Sequence, residues 1–513
     1  MASPGSVFGK SRSATSKVSK RSRLEKTLHL HVDSDILKAI SLQTSLQHLG
    51  ALWRMQPMKM SLQKLQKVNL KAQSAAGYDM FLSHTWHTSG ASKFWSMLLR
   101  CHASKFVLGW FVGTVLVIIL VLTRTLEWEL FDHIDHPVPE GKSPSDVCFP
   151  WAPWVTVIGF LGGMISLCTA PYFSCAGSSL CFLDMVCIDQ TDSELKERGV
   201  YGIGGWLSVS TELRILWSPP YFSRLWCVFE LAAYRTANPE GHITFQPVFV
   251  ENLVLTATCF GFMAQLIDLT ERQFPTISGV RAVGITVDCI ILVVLIWHLQ
   301  RRWRQQRSAL ADLAAFDMDG VSCSDAFDRA FVTSAIEGWY GGLDGFTRYV
   351  RGPVREELLE RFESLHLPFS FYNAMVLPFL GLYIDYALAM QMAEGHSTKE
   401  EVASHFFSKG LPRYFCLLIC VKLSFDLAHR YAHRRQTTWV DLKATVAITM
   451  IFTVMNLTTQ TLAPICYDAG LGASLATASV HGLAALLVYA LPHLLRRRAG
   501  ASEAEPEELP AAS

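Results

Sequence analysis

Eight runs of about 20 residues in this chain are nearly free of charge, and no other feature constrains its fold as strongly. They cover residues 106–122, 151–170, 252–269, 280–299, 369–391, 411–427, 440–465 and 473–495. Each is long enough to cross the hydrocarbon layer of a bilayer as a helix. Only 17% of the 513 residues are charged, against about 25% in a soluble domain. The pattern predicts a multi-pass membrane protein with soluble parts between its spans.

The cations set an orientation. Lys10, Arg12, Lys17, Lys20, Arg21, Arg23 and Lys26 lie in the N-terminal tail. RRWRQQR follows the fourth run, HRYAHRR the sixth and RRR the eighth. With eight spans all four segments share one side, which the positive-inside rule makes cytosolic, together with both termini. The acidic stretch 124–148 and residues 394–413 then face the opposite side. Residues 1–105 and 171–250 share the cytosol, so strands flanking the first hairpin can join one sheet.

The segments read as follows. Residues 1–27 are a disordered basic tail, and 28–74 are amphipathic helices. Ile36, Ile40, Leu42, Leu46 and Leu49 have helical spacing, as do Met58, Leu62 and Leu65 after Pro57. Residues 75–105 and 171–250 are two parts of one α/β unit, split by the hairpin 106–170. A second hairpin covers 251–299. Residues 300–368 are a cytosolic helical segment with one helix ending at Gly341–Gly342. Four spans occupy 369–495, and 496–513 is an acidic disordered tail.

Within the α/β unit, YDMFLS at 78–83 alternates and reads as a strand. FLD at 182–184, RILW at 214–217 and HITFQPVFV at 242–250 follow, with helical patterns between them. Strand and helix in alternation argue for a parallel sheet.

YDMFLSH at 78–84, FLD at 182–184, ERG at 197–199 and SPPYFSRLWCVFEL at 218–231 resemble the Toll/interleukin-1 receptor (TIR) domain. Ser218, Tyr221, Trp226, Cys227, Glu230 and Leu231 match the last motif; Ser223 falls one position early, with Arg224 in the family's serine slot. The version with FLSHTWH and WCVFELA looks most like TIR-like domains in membrane proteins of unicellular eukaryotes. The resemblance implies a flavodoxin-like α/β fold with a parallel sheet of about four strands, beside an all-α bundle of about eight transmembrane helices. The family's last strand and helix have no counterpart before the third span. The sheet edge must therefore be covered, by residues 34–70 or 300–368.

The resemblance also implies chemistry. Many TIR domains cleave the nicotinamide–ribose bond of NAD, and their catalytic glutamate matches Glu230. NAD would be the substrate, and no cofactor is required. A carboxylate near the ribose stabilises an oxocarbenium-like transition state. Binding candidates are Ser83, His84 and Trp86 after the first strand, Asp189 and Arg198 after the second, and Trp226. Trp86 would stack on a base, and Arg198 would neutralise a phosphate. Other TIR domains act only by assembly, with the same tryptophan and cysteine in the core.

Three readings stand. In the leading one the chain is a membrane signalling protein whose partners are the bilayer and TIR-like domains, its own or another's. The second is an NAD nucleosidase with Glu230 catalytic. The third is a TIR-regulated channel or transporter, suggested by Asp288, Asp385, Lys422, Asp426 and Lys443 within the spans. The 13 cysteines include no CxxC pair. Cys416 and Cys420, one helical turn apart, read as buried small hydrophobes rather than metal ligands. His429 and His433 read as a solvated basic face. No zinc pattern, phosphate loop or nucleic-acid motif emerges.

Overall fold

The computed structural model describes residues 30–56, 59–130, 151–173, 179–273, 280–323, 325–363, 366–392, 397–431 and 438–502. The basic tail 1–27, most of the acidic stretch 124–148, His433, the end of the acidic tail, and the side chains of Asp268 and Asp288 lie outside the described residues. The chain divides into two compact units. One is built from Met1–His102, Cys168–Leu253 and Arg304–His366, the other from Ala103–Leu167, Val254–Trp303 and Leu367–Ser513.

The first unit holds a six-stranded sheet. Its strands are β1 (Lys38–Ser41), β2 (Gln73–Ser74), β3 (Tyr78–His84), β4 (Leu180–Phe182), β5 (Ser210–Trp217) and β6 (His242–Pro247), in the spatial order β2-β1-β4-β3-β5-β6. β4, β3, β5 and β6 are parallel neighbours. The strand expected at 78–83 is therefore the central one, and all its residues but Asp79 are buried. Its apolar residues Tyr78, Met80, Phe81 and Leu82 fill the core, and its buried polar pair Ser83 and His84 stands at the carboxyl end. Asp79 accepts the backbone N–H of Leu180 at 2.7 Å, which ties β4 beside β3. Phe81 stacks on Phe182 at 4.3 Å, and Phe182 meets Trp206 at 4.5 Å.

The sheet is mixed and wider than the four parallel strands expected. β1 pairs antiparallel with β4, placing Ile40 against Cys181, and β2 pairs antiparallel with β1. Both strands come from the stretch read as helical throughout. A four-residue strand leaves too little period to compete with the helices around it, and an exposed edge on β4 demands a partner. Helix α1 (Leu42–Arg54) is interrupted by non-helical backbone at Gln47–Gly50, and α2 (Leu62–Asn69) follows; of the residues with helical spacing, Ile36 and Ile40 lie outside α1, Leu49 falls in its interruption, and Met58 lies outside the described residues.

The remaining helices of the first unit include the start of α3 (Gly90–Leu122), whose residues Phe94, Met97, Leu98 and Leu99 are buried. In the second unit α4 (Trp154–Thr169) follows. Back in the first unit, α5 (Ser193–Tyr201) and α6 (Ile203–Ser208) lead to β5, and α7 (Leu225–Ala237) leads to β6. The sixth strand stops at Pro247, short of the expected Val250, because helix α8 (Val248–Gln273) begins there. α9 (Val280–Ala311) precedes α10 (Ala326–Tyr340), α11 (Leu343–Tyr349) and α12 (Arg355–Glu363).

Helices α10 to α12 pack on α7 and the β6 side of the sheet. Asp325 caps α10 by accepting from the N–H groups of Phe327 and Asp328. Gly341 ends it with φ +68°, a left-handed position that suits glycine. Phe229 on α7 meets Trp339 at 5.5 Å, and Phe245 on β6 meets Phe362 at 6.4 Å. Arg235 on α7 grips Glu357 on α12 with two bonds of 2.6 and 2.7 Å.

The second unit is helical. Its later helices are α13 (Phe369–Met392), α14 (Lys399–His405), α15 (Leu411–Tyr431), α16 (Thr438–Asp468) and α17 (Leu471–Ser502). Among the described residues of the whole chain, six helices are long and apolar enough to cross a membrane: Gly90–Leu122, Trp154–Tyr172, Val248–Ile267, Phe369–Met392, Leu442–Asp468 and Leu471–Ala490. This is the pattern of a multi-pass membrane protein. Of the other two expected spans, 280–299 is helical but partly outside the described side chains. The run at 411–427 is helical too, and Arg413, Lys422 and Asp426 break its apolar character.

Two features hold the membrane unit together. Gly109 and Gly113 on α3 lie one turn apart against Gly162 and Ile158 on α4. A Cβ at Gly109 would come within 2.5 Å of the Gly162 carbonyl, and one at Gly113 within 2.9 Å of the Ile158 carbonyl. Small residues let apolar helices approach this closely where lipid offers no hydrophobic drive. Asp385 on α13, buried and polar, accepts the N–H groups of Val155 and Thr156 at 2.7 and 2.9 Å and the Thr156 hydroxyl at 2.8 Å. These N–H groups belong to the first turn of α4 and have no partner within their own helix. A carboxylate inside the span thus has a structural task.

Candidate functional site

In parallel α/β sheets the strand ends at the carboxyl edge point their loops toward a common crevice. Here β3 ends in Ser83 and His84, β4 runs into Asp184, and β5 runs into Ser218 and the Pro219–Pro220–Tyr221 turn. Glu230 stands on α7, the helix that this turn opens.

Ser83 is the junction. Its hydroxyl is hydrogen bonded to both the Tyr221 hydroxyl and the Glu230 carboxyl. Ser83 and Tyr221 are fully buried, while Glu230 keeps slight access to solvent. A serine hydroxyl has one proton to give. With Glu230 ionised, the chain runs from Tyr221 to Ser83 to the carboxylate. With Glu230 protonated, the carboxyl can donate and the direction reverses. Burial pushes the Glu230 carboxyl up to about 8; the bond from Ser83 opposes the rise and the negative charge of Asp184 adds to it. Burial, with Cys227 and Glu230 nearby, raises the Tyr221 phenol well above its ordinary value.

A second group adjoins this one. The Trp86 indole N–H donates to Asp184 at 3.0 Å, and His84 Nε2 lies 4.0 Å from the same carboxylate. Burial, then the charge of Lys93, pulls His84 down to about 4, with Asp184 acting the other way. The imidazole is therefore neutral at pH 7. Lys93 on α3 is buried, with its ammonium 5.2 Å from the Trp86 ring centroid and 3.4 Å from the Thr85 carbonyl. Thr88 and Ser218 share a hydrogen bond of 2.6 Å.

Four of the residues singled out from the sequence, Ser83, His84, Trp86 and Glu230, come together at this edge. Three others are engaged elsewhere. Arg198 donates to Asp33 at 3.0 Å and to Asp35 at 2.8 and 2.9 Å. Its helix α5 packs against the 33–35 segment, so its charge is neutralised there and not by a ligand phosphate. Asp189 accepts from Asn69 at 2.8 Å and from the backbone and hydroxyl of Thr191. Burial raises its pKa, and the Thr191 and Asp192 bonds outweigh that and hold it low. Trp226 donates to Asp328 at 3.2 Å and packs beside Phe229 and Phe331, a half-buried position against α10.

Sequence reasoning did not name Lys93, Asp184, Tyr221, Ser218 or Thr88 as site residues. Ser218, Tyr221 and Asp184 were within reach, since they sit in the quoted motifs. Lys93 had a weaker signal, one cation in an otherwise apolar helix start.

The cluster can hold a proton on Glu230 at neutral pH, pass it along Ser83 and Tyr221, and present a neutral imidazole and an indole beside a carboxylate. Among the described residues no group of three or more histidine, cysteine or acidic side chains is placed to hold a metal ion. Compared with protein-family models, curated proteins and solved structures, the chain finds no match in any of the three.

Proposed function

We propose that the chain is a membrane-anchored signalling protein whose non-membrane unit is a TIR-like interaction domain on the cytosolic side. The observation that carries this reading is strand order. Counting only the parallel strands in chain order, they lie second, first, third, fourth, the flavodoxin-like arrangement. The Ser218–Leu231 motif falls on the turn and helix after the third of them, as the resemblance requires. In this reading eight spans cross the membrane, both termini are cytosolic, and the domain assembles with a TIR-like surface of another copy or another protein. Glu194 and Lys196 are exposed on α5, between β4 and β5 in the chain, and in this reading they take part in such contacts.

The test is cross-linking of the full chain in membranes. Oligomers that weaken on charge reversal at Glu194→Lys and Lys196→Glu support assembly. A chain that stays monomeric at every concentration and captures no TIR domain removes it. An epitope inserted at 132–148 and found on the cytosolic side would sink the orientation.

The Ser83–Glu230 bond favours a second reading, cleavage of the nicotinamide–ribose bond of NAD. It places a carboxyl at the carboxyl ends of the strands, where a ribose would lie. Purified chain with NAD would then release nicotinamide, and Glu230→Ala would abolish the release. No turnover at high protein concentration removes this reading and leaves the assembly reading standing.

A further inference from the structure

We propose that Cys416, Cys420 and Met455 form a binding site for a soft monovalent metal ion, Cu(I), within the membrane unit. The two thiols sit one turn apart on α15, and the structure adds a third sulfur that the sequence does not connect to them. The Cys416 and Cys420 sulfurs are 4.0 Å apart, and the Cys420 sulfur is 3.9 Å from the Met455 thioether on α16.

These two distances match two edges of a coordination triangle. Three sulfurs at about 2.3 Å from a central metal in a plane lie about 4.0 Å from one another. The same distance is about twice a disulfide bond, and both thiols are free. Both cysteines are buried, so the pair is shielded from water.

The donor set selects the ion. Two thiolates and a thioether are soft ligands that favour Cu(I). Zinc takes thiolate, imidazole and carboxylate, and among the described residues no set of three such groups is placed to hold a metal.

Charge points the same way. Binding converts two thiols and one Cu(I) into a bis-thiolate complex of charge minus one, releasing two protons. Arg413 stands three residues before Cys416, so both fall on one face of the helix. Its Nε is buried without an acceptor, and its Nη groups reach the Gln460 side-chain oxygen. An anionic complex in this position offsets a cation whose hydrogen-bond partner Gln460 is neutral. The Thr459 hydroxyl donates to the Met455 carbonyl at 3.0 Å and so steadies the turn of α16 that carries the thioether.

The experiment uses the full chain in lipid nanodiscs, titrated anaerobically with Cu(I) against the chelator bicinchoninate. The wild type is expected to hold one equivalent that the double variant Cys416→Ser/Cys420→Ser loses, and Met455→Leu is expected to move the competition curve to lower affinity. Equal stoichiometry in wild type and double variant overturns the site. Because the double variant can fail to fold, two measurements are made on the wild type alone. Copper X-ray absorption at one equivalent should show three sulfur neighbours at about 2.3 Å; oxygen or nitrogen neighbours would overturn it. Cu(I) should also protect Cys416 and Cys420 from alkylation in a mass-spectrometric readout, and protection of other cysteines instead counts against the site.

Discussion

Ser83 and Glu230 lie 147 residues apart in the chain and share a hydrogen bond at the carboxyl edge of the sheet. The bond spans the break in the α/β unit: Ser83 ends the strand before the first apolar hairpin, and Glu230 stands on a helix well after it. Ser83→Ala would leave the Glu230 carboxyl and the Tyr221 hydroxyl without their shared partner. Losing a buried partner costs about 1–3 kcal/mol. The midpoint of thermal unfolding of the detergent-purified chain should fall accordingly, and an unchanged midpoint would contradict the geometry.

The raised pKa of Glu230 makes a pH prediction. The unfolded carboxyl ionises near 4.5 and the folded one near 8, so between these values the folded chain holds more protons. Stability from this group is intact below 4.5 and drains away as pH rises to about 8, by at most about 1.4 kcal/mol per pH unit. Glu230→Gln removes the titration and retains an amide for Ser83. Its melting temperature relative to the wild type should therefore climb between pH 5 and pH 8. A constant difference across that range would refute the assignment.

Arg235 and Glu357 join helices 122 residues apart, and the arginine side chain is only 9% exposed. Glu357→Ala leaves this almost fully buried guanidinium only the Pro239 and Gly241 carbonyls, a loss of about 1.5–3 kcal/mol. Limited proteolysis should then cut residues 300–368 faster than in the wild type. Arg235→Met with Glu357→Leu restores an apolar contact and should recover much of the resistance.

Asp385 satisfies three donors at the start of α4. Asp385→Ala leaves them open in an apolar setting and should cost about 1–2 kcal/mol, as loss of a helix cap does. Asp385→Asn keeps acceptor capacity and should lie between the two. If Asp385→Ala melted with the wild type, the capping role would be void.

The glycine crossing of α3 and α4 sets a steric limit. Gly109→Leu would drive a side chain into the Gly162 carbonyl and Ser166. The helices must separate, and overpacking of this kind costs about 1–3 kcal/mol or more. Cysteine pairs introduced across the crossing should cross-link in the parent and lose efficiency in the Leu variant.

Much of this was legible in the sequence because it depends on local pattern. Long uncharged runs mark spans since a bilayer tolerates few charges, and the alternating, aromatic-rich YDMFLS reads as a strand since that pattern suits a pleated surface. The motif around Trp226 and Glu230 gave the position of the carboxyl. The pairing of β1 with β4 was not legible, because four residues carry too little periodicity and only an unpaired edge makes them a strand. Arg198 looked like a phosphate ligand until Asp33 and Asp35, more than 160 residues upstream, were folded against it. Met455 gave no sign of a tie to Cys416 and Cys420. The sequence by itself determined which segments avoid water and which alternate, since each residue's own transfer energy decides that. Which side chains meet across 100 residues or more, and so whether a charge is free, paired or buried, was decided only by the tertiary structure, because contacts between distant segments leave no trace in local spacing.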